Sequence, residues 1–141
     1  MDIKFSMIEN FRLIELSEDE HFALDRPDQS LHIYNAFMVC KANNPFLFQC
    51  IREIVHNVNT KYYGESALSP TGPELHGRIA TAYKLNIDLV YPMAYHDHIM
   101  YKGTLILKSY PYYRAEQKRH EHNVNQIHYS EAWKKRQVYA N

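Results

Sequence analysis

His32-Ile33-Tyr34-Asn35-Ala36-Phe37-Met38-Val39, followed by Lys41-Ala42-Asn43-Asn44 and then Pro45 onward, is the stretch on which the fold class turns. The first eight residues are apolar, aromatic and β-branched, and read as a buried strand. The next four read as a turn. Pro45 suits the first position of a helix, where a missing N–H costs little. From Pro45 to about Lys61 the apolar residues are Leu47, Phe48, Ile51, Ile54, Val55 and Val58. That spacing predicts an amphipathic helix of about four turns, closed by Tyr62-Tyr63-Gly64.

Working outward, Phe11 to Leu16 and Phe22 to Asp25 read as short strands around the acidic turn Ser17-Glu18-Asp19-Glu20. Arg26 to Ser30 is a loop with a proline inside it. Ser69-Pro70-Thr71-Gly72-Pro73 is a loop feeding a second helix, about Pro73 to Tyr83, with Thr71 or Gly72 near its cap. Ile87 to Tyr95 and Gly103 to Leu107 read as strands around a turn near Asp97 to Lys102, a hairpin pattern. Tyr112 to His122 is polar, helical or irregular. His128 to Tyr139 predicts a short C-terminal helix carrying Trp133. Strands, helix, helix, hairpin, tail is the order of a mixed α/β or α+β domain. The opening β-α-β units of a nucleotide-binding half are not in it.

Composition narrows the function. At 141 residues the chain is one domain by length, with 45% hydrophobic and 23% charged residues. Lys plus Arg equals Asp plus Glu at 16 each, and a zero balance argues against a nucleic-acid partner, which needs a basic surplus. No apolar run approaches the roughly 20 residues that span a bilayer. Met1-Asp2-Ile3-Lys4 lacks a signal-peptide layout, so the expected compartment is the cytoplasm, unless an anchor lies further upstream. Cys40 and Cys50 read as two reduced, buried thiols.

Few residues could carry chemistry, and each has a plainer reading. Asp25-Arg26 ends a strand, where α/β proteins place ligand contacts; the plainer reading is a surface ion pair. Gly72 permits close backbone approach, and the helix start after it offers N–H groups to an anion; the plainer reading is an ordinary cap. His96 and His98 alternate, as do His120 and His122, but two ligands are too few for a metal and exposed turn or charged-stretch histidines explain them. His128 could reach a metal or a diphosphate, or merely cap a helix. The tyrosines of 91–113 could stack on sugar rings or pack on the core. Neither a G-x-S-x-G nucleophile nor a phosphate-binding G-x-x-x-x-G-K loop occurs.

Four segments together resemble one family. Ile33 to Met38 resembles a strand with a central Asn. Asn44-Pro45-Phe46 with Ile51, Ile54, Val55 and Asn57-Val58 resembles the helix after it. Tyr63-Gly64 with Leu68-Ser69-Pro70-Thr71-Gly72-Pro73 resembles a loop ending in Thr-Gly-Pro. His128-Tyr129-Ser130-Glu131-Ala132-Trp133 resembles a C-terminal His-aromatic-x-x-small-Trp element. The family is glycosyltransferase family 32, the sugar-binding region containing the DXD motif. It includes yeast alpha-1,6-mannosyltransferases and bacterial capsular transferases. The spelling is similar to the branch carried by large DNA viruses.

The resemblance implies a GT-A type fold and transfer of a sugar from a nucleotide-sugar to a glycan or protein hydroxyl, with retention. It also implies a divalent cation, manganese or magnesium, held by an Asp-x-Asp motif. Asp2 matches the first carboxylate of that motif, and Lys4 stands where the second should be. On the resemblance, the nucleotide-binding half that the family carries ahead of this point is expected to be missing. The expectation is therefore a C-terminal, truncated portion with an uncovered sheet edge and apolar face, whose catalysis is impaired or whose other half comes from a second chain. On the resemblance, Asp25 and Asn35 are catalytic and face the donor sugar. Asp2, Lys4, Thr71, Gly72, His128 and Trp133 bind substrate, and Asp2 and His128 hold the metal. The alternative is a non-catalytic carbohydrate- or partner-binding remnant of the same fold.

Overall fold

A computed structural model describes residues 5–8, 20–25, 31–91, 98–123 and 127–139. The elements in chain order are β1 (Phe5–Met7), β2 (Glu20–Asp25), β3 (His32–Cys40), α1 (Pro45–Asn59), α2 (Pro73–Ala80), β4 (Leu89–Tyr91), β5 (His98–Tyr101), β6 (Thr104–Ser109), α3 (Tyr113–Asn123) and α4 (Tyr129–Lys134). The mixed α/β reading holds. The expected strand at Phe11 to Leu16, the loop at Arg26 to Ser30, and Asp2, Lys4, His96 and Asp97 lie outside the described residues.

Six strands form one mixed sheet in the order β1-β6-β5-β4-β2-β3. All neighbours are antiparallel except β2 and β4, which run parallel with Ala23 beside Leu89 and Asp25 beside Tyr91. Strand alternation divides the apolar residues into two cores. On one face Phe22 and Ile33 pack with Phe46 and Cys50 of α1 and Leu75 and Ala80 of α2. On the other face Phe5, Ala23, Tyr34, Phe37, Leu89, Ile99, Ile106 and Leu107 meet. Every strand contributes to that second core. Phe5 from one edge strand touches Tyr34 from the other, with ring centroids 6.3 Å apart. The sheet is therefore curled until its two edges approach. Among the described residues its inner face is filled by its own side chains, where the sequence led us to expect an uncovered apolar face.

The helix boundaries follow from local chemistry. Asn44 caps α1, its side-chain oxygen accepting from the Leu47 N–H at 3.1 Å. α1 ends at Asn59, two residues before the expected end, in a Schellman turn. Lys61 takes φ +52°, Tyr62 N–H donates to the Asn57 carbonyl, and Lys61 N–H to that of Val58. α4 ends in the same way: Arg136 takes φ +55° and the Gln137 N–H reaches back to the Ala132 carbonyl. That turn cuts α4 short of the predicted Tyr139. α2 stops at Ala80, before the predicted Tyr83. The Thr81 hydroxyl donates to the Arg78 carbonyl, and Tyr83 leaves the helix to pack on Phe46.

The hairpin differs from its predicted position. The two-residue turn is Lys102-Gly103, both at positive φ, and it joins β5 to β6. His98–Tyr101, read as turn, is strand β5 and pairs with both β4 and β6. β1 was not expected as a strand; it borders β6, with Phe5 opposite Ser109. Cys50 is buried, and burial pushes its thiol up to about 11. Cys40 is only half-buried; it too is raised, by burial and then by the Glu20 carboxylate beside it. Among the described residues no helix is long and apolar enough to cross a membrane.

Candidate functional site

Asp25 is the last residue of β2. Its neighbours across the ladder are His32 on β3 and Tyr91 on β4. Because β2 and β4 are parallel, Asp25 and Tyr91 end at the same rim of the sheet. Asp25 is 5% exposed, so its carboxylate is buried and not at the surface, and it has an interaction of its own there. Burying a carboxylate is costly unless its charge is used or compensated.

Asn35 lies at an irregularity in the pairing of β2 with β3. Ala23 pairs with Tyr34 while Phe22 pairs with Met38, so Asn35, Ala36 and Phe37 form a bulge in β3. Phe37 turns into the inner core, and Asn35 is exposed.

Thr71 and Gly72 sit on a tightly bonded loop. The Ser69 hydroxyl accepts from the N–H groups of Glu65 and Ser66 at 3.1 and 3.0 Å. It donates to Glu74 at 2.6 Å, and the Ser66 hydroxyl donates to the other Glu74 oxygen at 2.5 Å. Gly64, at φ +61°, leaves room for Ser69: a Cβ there would lie 2.2 Å from that residue's Cβ. Buried Asn57 of α1 donates to the Pro70 carbonyl at 2.9 Å. The Gly72 N–H donates to the Leu68 carbonyl at 3.0 Å. The helix start after it already carries the Glu74 carboxylate in its first turn. The loop is thus a rigid shape presenting exposed Thr71, with the Glu74 carboxylate in the first turn of the helix start where an anion was expected.

His76 completes this loop. Its Nδ1–H donates to the Gly72 carbonyl at 2.8 Å, and its ring meets Phe46 edge-on. Burial holds its pKa below the ordinary 6.5, against the opposing pull of the Gly72 bond. The sign follows from that depression. Below 6.5 the unfolded chain takes up a proton that folded His76 refuses. Its contribution to stability is complete above 6.5 and is lost as pH falls through the folded value. The slope from one such group is at most about 1.4 kcal/mol per pH unit. We expect urea unfolding of His76→Asn, whose amide reaches the same carbonyl, to show a shallower loss between pH 7 and pH 5 than wild type. Identical slopes in the two proteins would remove His76 as the cause.

Trp133 and His128 lie on and before α4. The Trp133 indole N–H donates to the Tyr63 carbonyl at 2.7 Å, and the Arg136 guanidinium lies 4.4 Å from the Tyr63 ring centre. The Tyr139 hydroxyl donates to the Tyr62 carbonyl. The segment from Trp133 to Tyr139 is therefore clamped onto the turn that ends α1, next to Gly64. The structure brings Trp133, Thr71 and Gly72 onto one scaffold, while Asp25 and Asn35 belong to the sheet.

His128 caps α4. Its Nδ1 lies 3.3 Å from the Ser130 N–H and 2.7 Å from the Ser130 hydroxyl. As the acceptor of the capping N–H, Nδ1 carries the lone pair, so the neutral ring has its proton on Nε2, the reverse of the open Nε2 that a metal-binding imidazole offers. The other expected metal residue, Asp2, lies outside the described residues. Among the described residues no group of three or more His, Cys, Asp or Glu side chains could hold a metal ion. His128 is thus a single ligand, too few for a cation by itself. His98 is half-buried on β5 and His120 is exposed on α3.

Sequence reasoning missed a second polar cluster, at the opposite end of β2. His21, fully buried, donates from Nδ1 to Asp88 at 2.8 Å. Its ring stands edge-on to Tyr101. Glu20 accepts from Asn44 and from the Asn86 N–H, both at 3.0 Å. This cluster ties the start of β2 to the cap of α1 and the approach to β4. The available signal was Glu20-His21 abutting an apolar strand.

Comparison of the chain with protein-family models, with curated proteins and with solved structures found no match.

Proposed function

We propose that the chain is a glycosyltransferase-like protein, moving a sugar from a nucleotide-sugar donor to a hydroxyl acceptor with retention. In this reading the domain is the C-terminal part of a GT-A type fold. The observation that supports it most is Asp25, a buried carboxylate at the carboxyl end of the parallel pair β2 and β4. Ligands of α/β sheets bind at such ends, outside the sheet. Asp25 faces the donor sugar there and stabilises positive charge at the anomeric carbon as the bond to the diphosphate breaks. Asn35 offers an exposed amide to sugar hydroxyls, and Thr71 shapes the acceptor side from its rigid loop. His128 and Trp133 contribute to substrate binding from α4, with Asp2 and Lys4 from the N-terminal segment. A divalent cation, when bound, supplies charge neutralisation of the leaving diphosphate. Asp2 and His128 are the residues proposed for it.

The test is titration of the purified chain with nucleoside-diphosphate hexoses in the presence of manganese, read by calorimetry and by release of nucleoside diphosphate. Binding is expected, with Asp25→Asn lowering transfer by about 100-fold or more while the Tm is kept. Failure of every nucleotide-sugar to bind would overturn the transferase reading. It would leave the second reading, a non-catalytic carbohydrate- or partner-binding domain. That reading is favoured by the apolar outer face of α1.

A further inference from the structure

α1 is apolar on two sides. Its inner side, Phe46 and Cys50 with half-buried Leu47 and Ile54, packs on the sheet and on α2. Its outer side carries Phe48, Ile51, Val55 and Val58, which are 63%, 59%, 53% and 48% exposed. A helix at the surface of a domain normally has one apolar face and one polar face. Here the outer residues recur at intervals of three, four and three, the seam spacing by which helices interlock side chain into hole.

We infer that the protein forms a homodimer in which the outer face of α1 packs against the same face of a second copy. Three observations favour a second copy over a foreign partner. The first is area. Four large side chains at about half exposure leave an apolar patch on the order of 300 Å², the scale at which exposed patches become interaction sites. Two such faces and their rims together reach about 1,000 Å², the lower bound for a specific interface. The second is the rim. Beside the stripe lie Gln49, Arg52, His56 and Asn59, with one formal charge among them. Glu53 is already paired with Arg78 at 3.1 Å. A foreign helix selected by charge needs a charged rim to read, and this rim has almost none. The third is the net charge of zero, which removes long-range repulsion between copies.

The test is sedimentation equilibrium on the full chain from about 1 to 200 µM, where a small apolar interface of this size dissociates. Wild type is expected to pass from monomer to dimer across that range. Ile51→Glu with Val55→Glu is expected to weaken association by about 100-fold or more, leaving a monomer. Because both side chains are exposed, the double variant should keep the wild-type Tm measured on monomer at low concentration. A wild-type protein still monomeric at the top of the range overturns the proposal. So does a double variant that dimerises as wild type does. Should the double variant lose Tm while wild type stays monomeric, the chain covers α1 itself, and the proposal also falls.

Discussion

Gly77→Ala is expected to cost about 3 kcal/mol or more, although the same change at an ordinary helical position would stabilise by about 0.4–1 kcal/mol. The reason is the approach of α2 to β3. A Cβ at Gly77 would lie 1.7 Å from the Leu31 carbonyl oxygen, 2.6 Å from its carbon and 3.0 Å from the His32 Cα. All three are backbone atoms at the start of a strand, so no side chain can swing aside. Relief requires α2 to move away from the sheet, opening the contacts of Leu75 with Ile33 and Phe22. It would also shift the Thr71-Gly72 loop, which continues directly into α2. Urea unfolding measures the effect, and an alanine variant as stable as wild type would contradict this packing.

Phe46→Ala comes next, with an expected loss of about 3–5 kcal/mol. Phe46 meets three rings edge-on: Phe22 at 5.2 Å, Tyr83 at 5.8 Å and His76 at 6.3 Å. It therefore joins the sheet, the end of α2 and the His76 loop in one contact. Since domains of this size are stable by only about 5–15 kcal/mol, the variant should sit near its unfolding midpoint without denaturant. Phe48→Ala, two residues along the same helix, is the internal control. Its ring is mostly exposed, so the monomer should change by no more than about 0.5 kcal/mol. A similar loss for both variants would mean that the inner and outer faces of α1 have been confused.

Legibility in the sequence tracked how local each structural cause is. α1 was readable because its cap, its proline and its periodicity all fall within a few residues. β3 and the end of β2 were readable as apolar runs. β1 was not, since three residues become a strand only through pairing with β6. β5 was missed because His98 and Tyr101 suggest polarity, while its pleat is fixed by neighbours on both sides. The early end of α4 depends on Arg136 in a left-handed conformation that usually signals glycine or asparagine, and neither is present. At the candidate site, the strand-end position of Asp25 was legible; its burial was not. The Ser66–Ser69–Glu74 bonds link residues spaced like any loop, and nothing short of the folded loop distinguishes them. His76 carries no local signal either, because the ring it meets, Phe46, comes from α1.

The pairing of β1 with β6 also sets an order of events in time. The Ser6 hydroxyl donates to the Lys108 carbonyl, a partner 102 residues later in the chain. At synthesis rates of about 5–20 residues per second, that partner follows by roughly 5–20 s. β2, β3 and the two helices form contacts among residues already made, while the N-terminal strand waits beside them unpaired. Closure of the curl through Phe5 and Tyr34 is therefore a late event in biosynthesis. Topologies closed by such distant pairing fold slowly. A nascent chain arrested near residue 90 should protect the α1–α2 core from protease while leaving Phe5–Met7 open to cleavage.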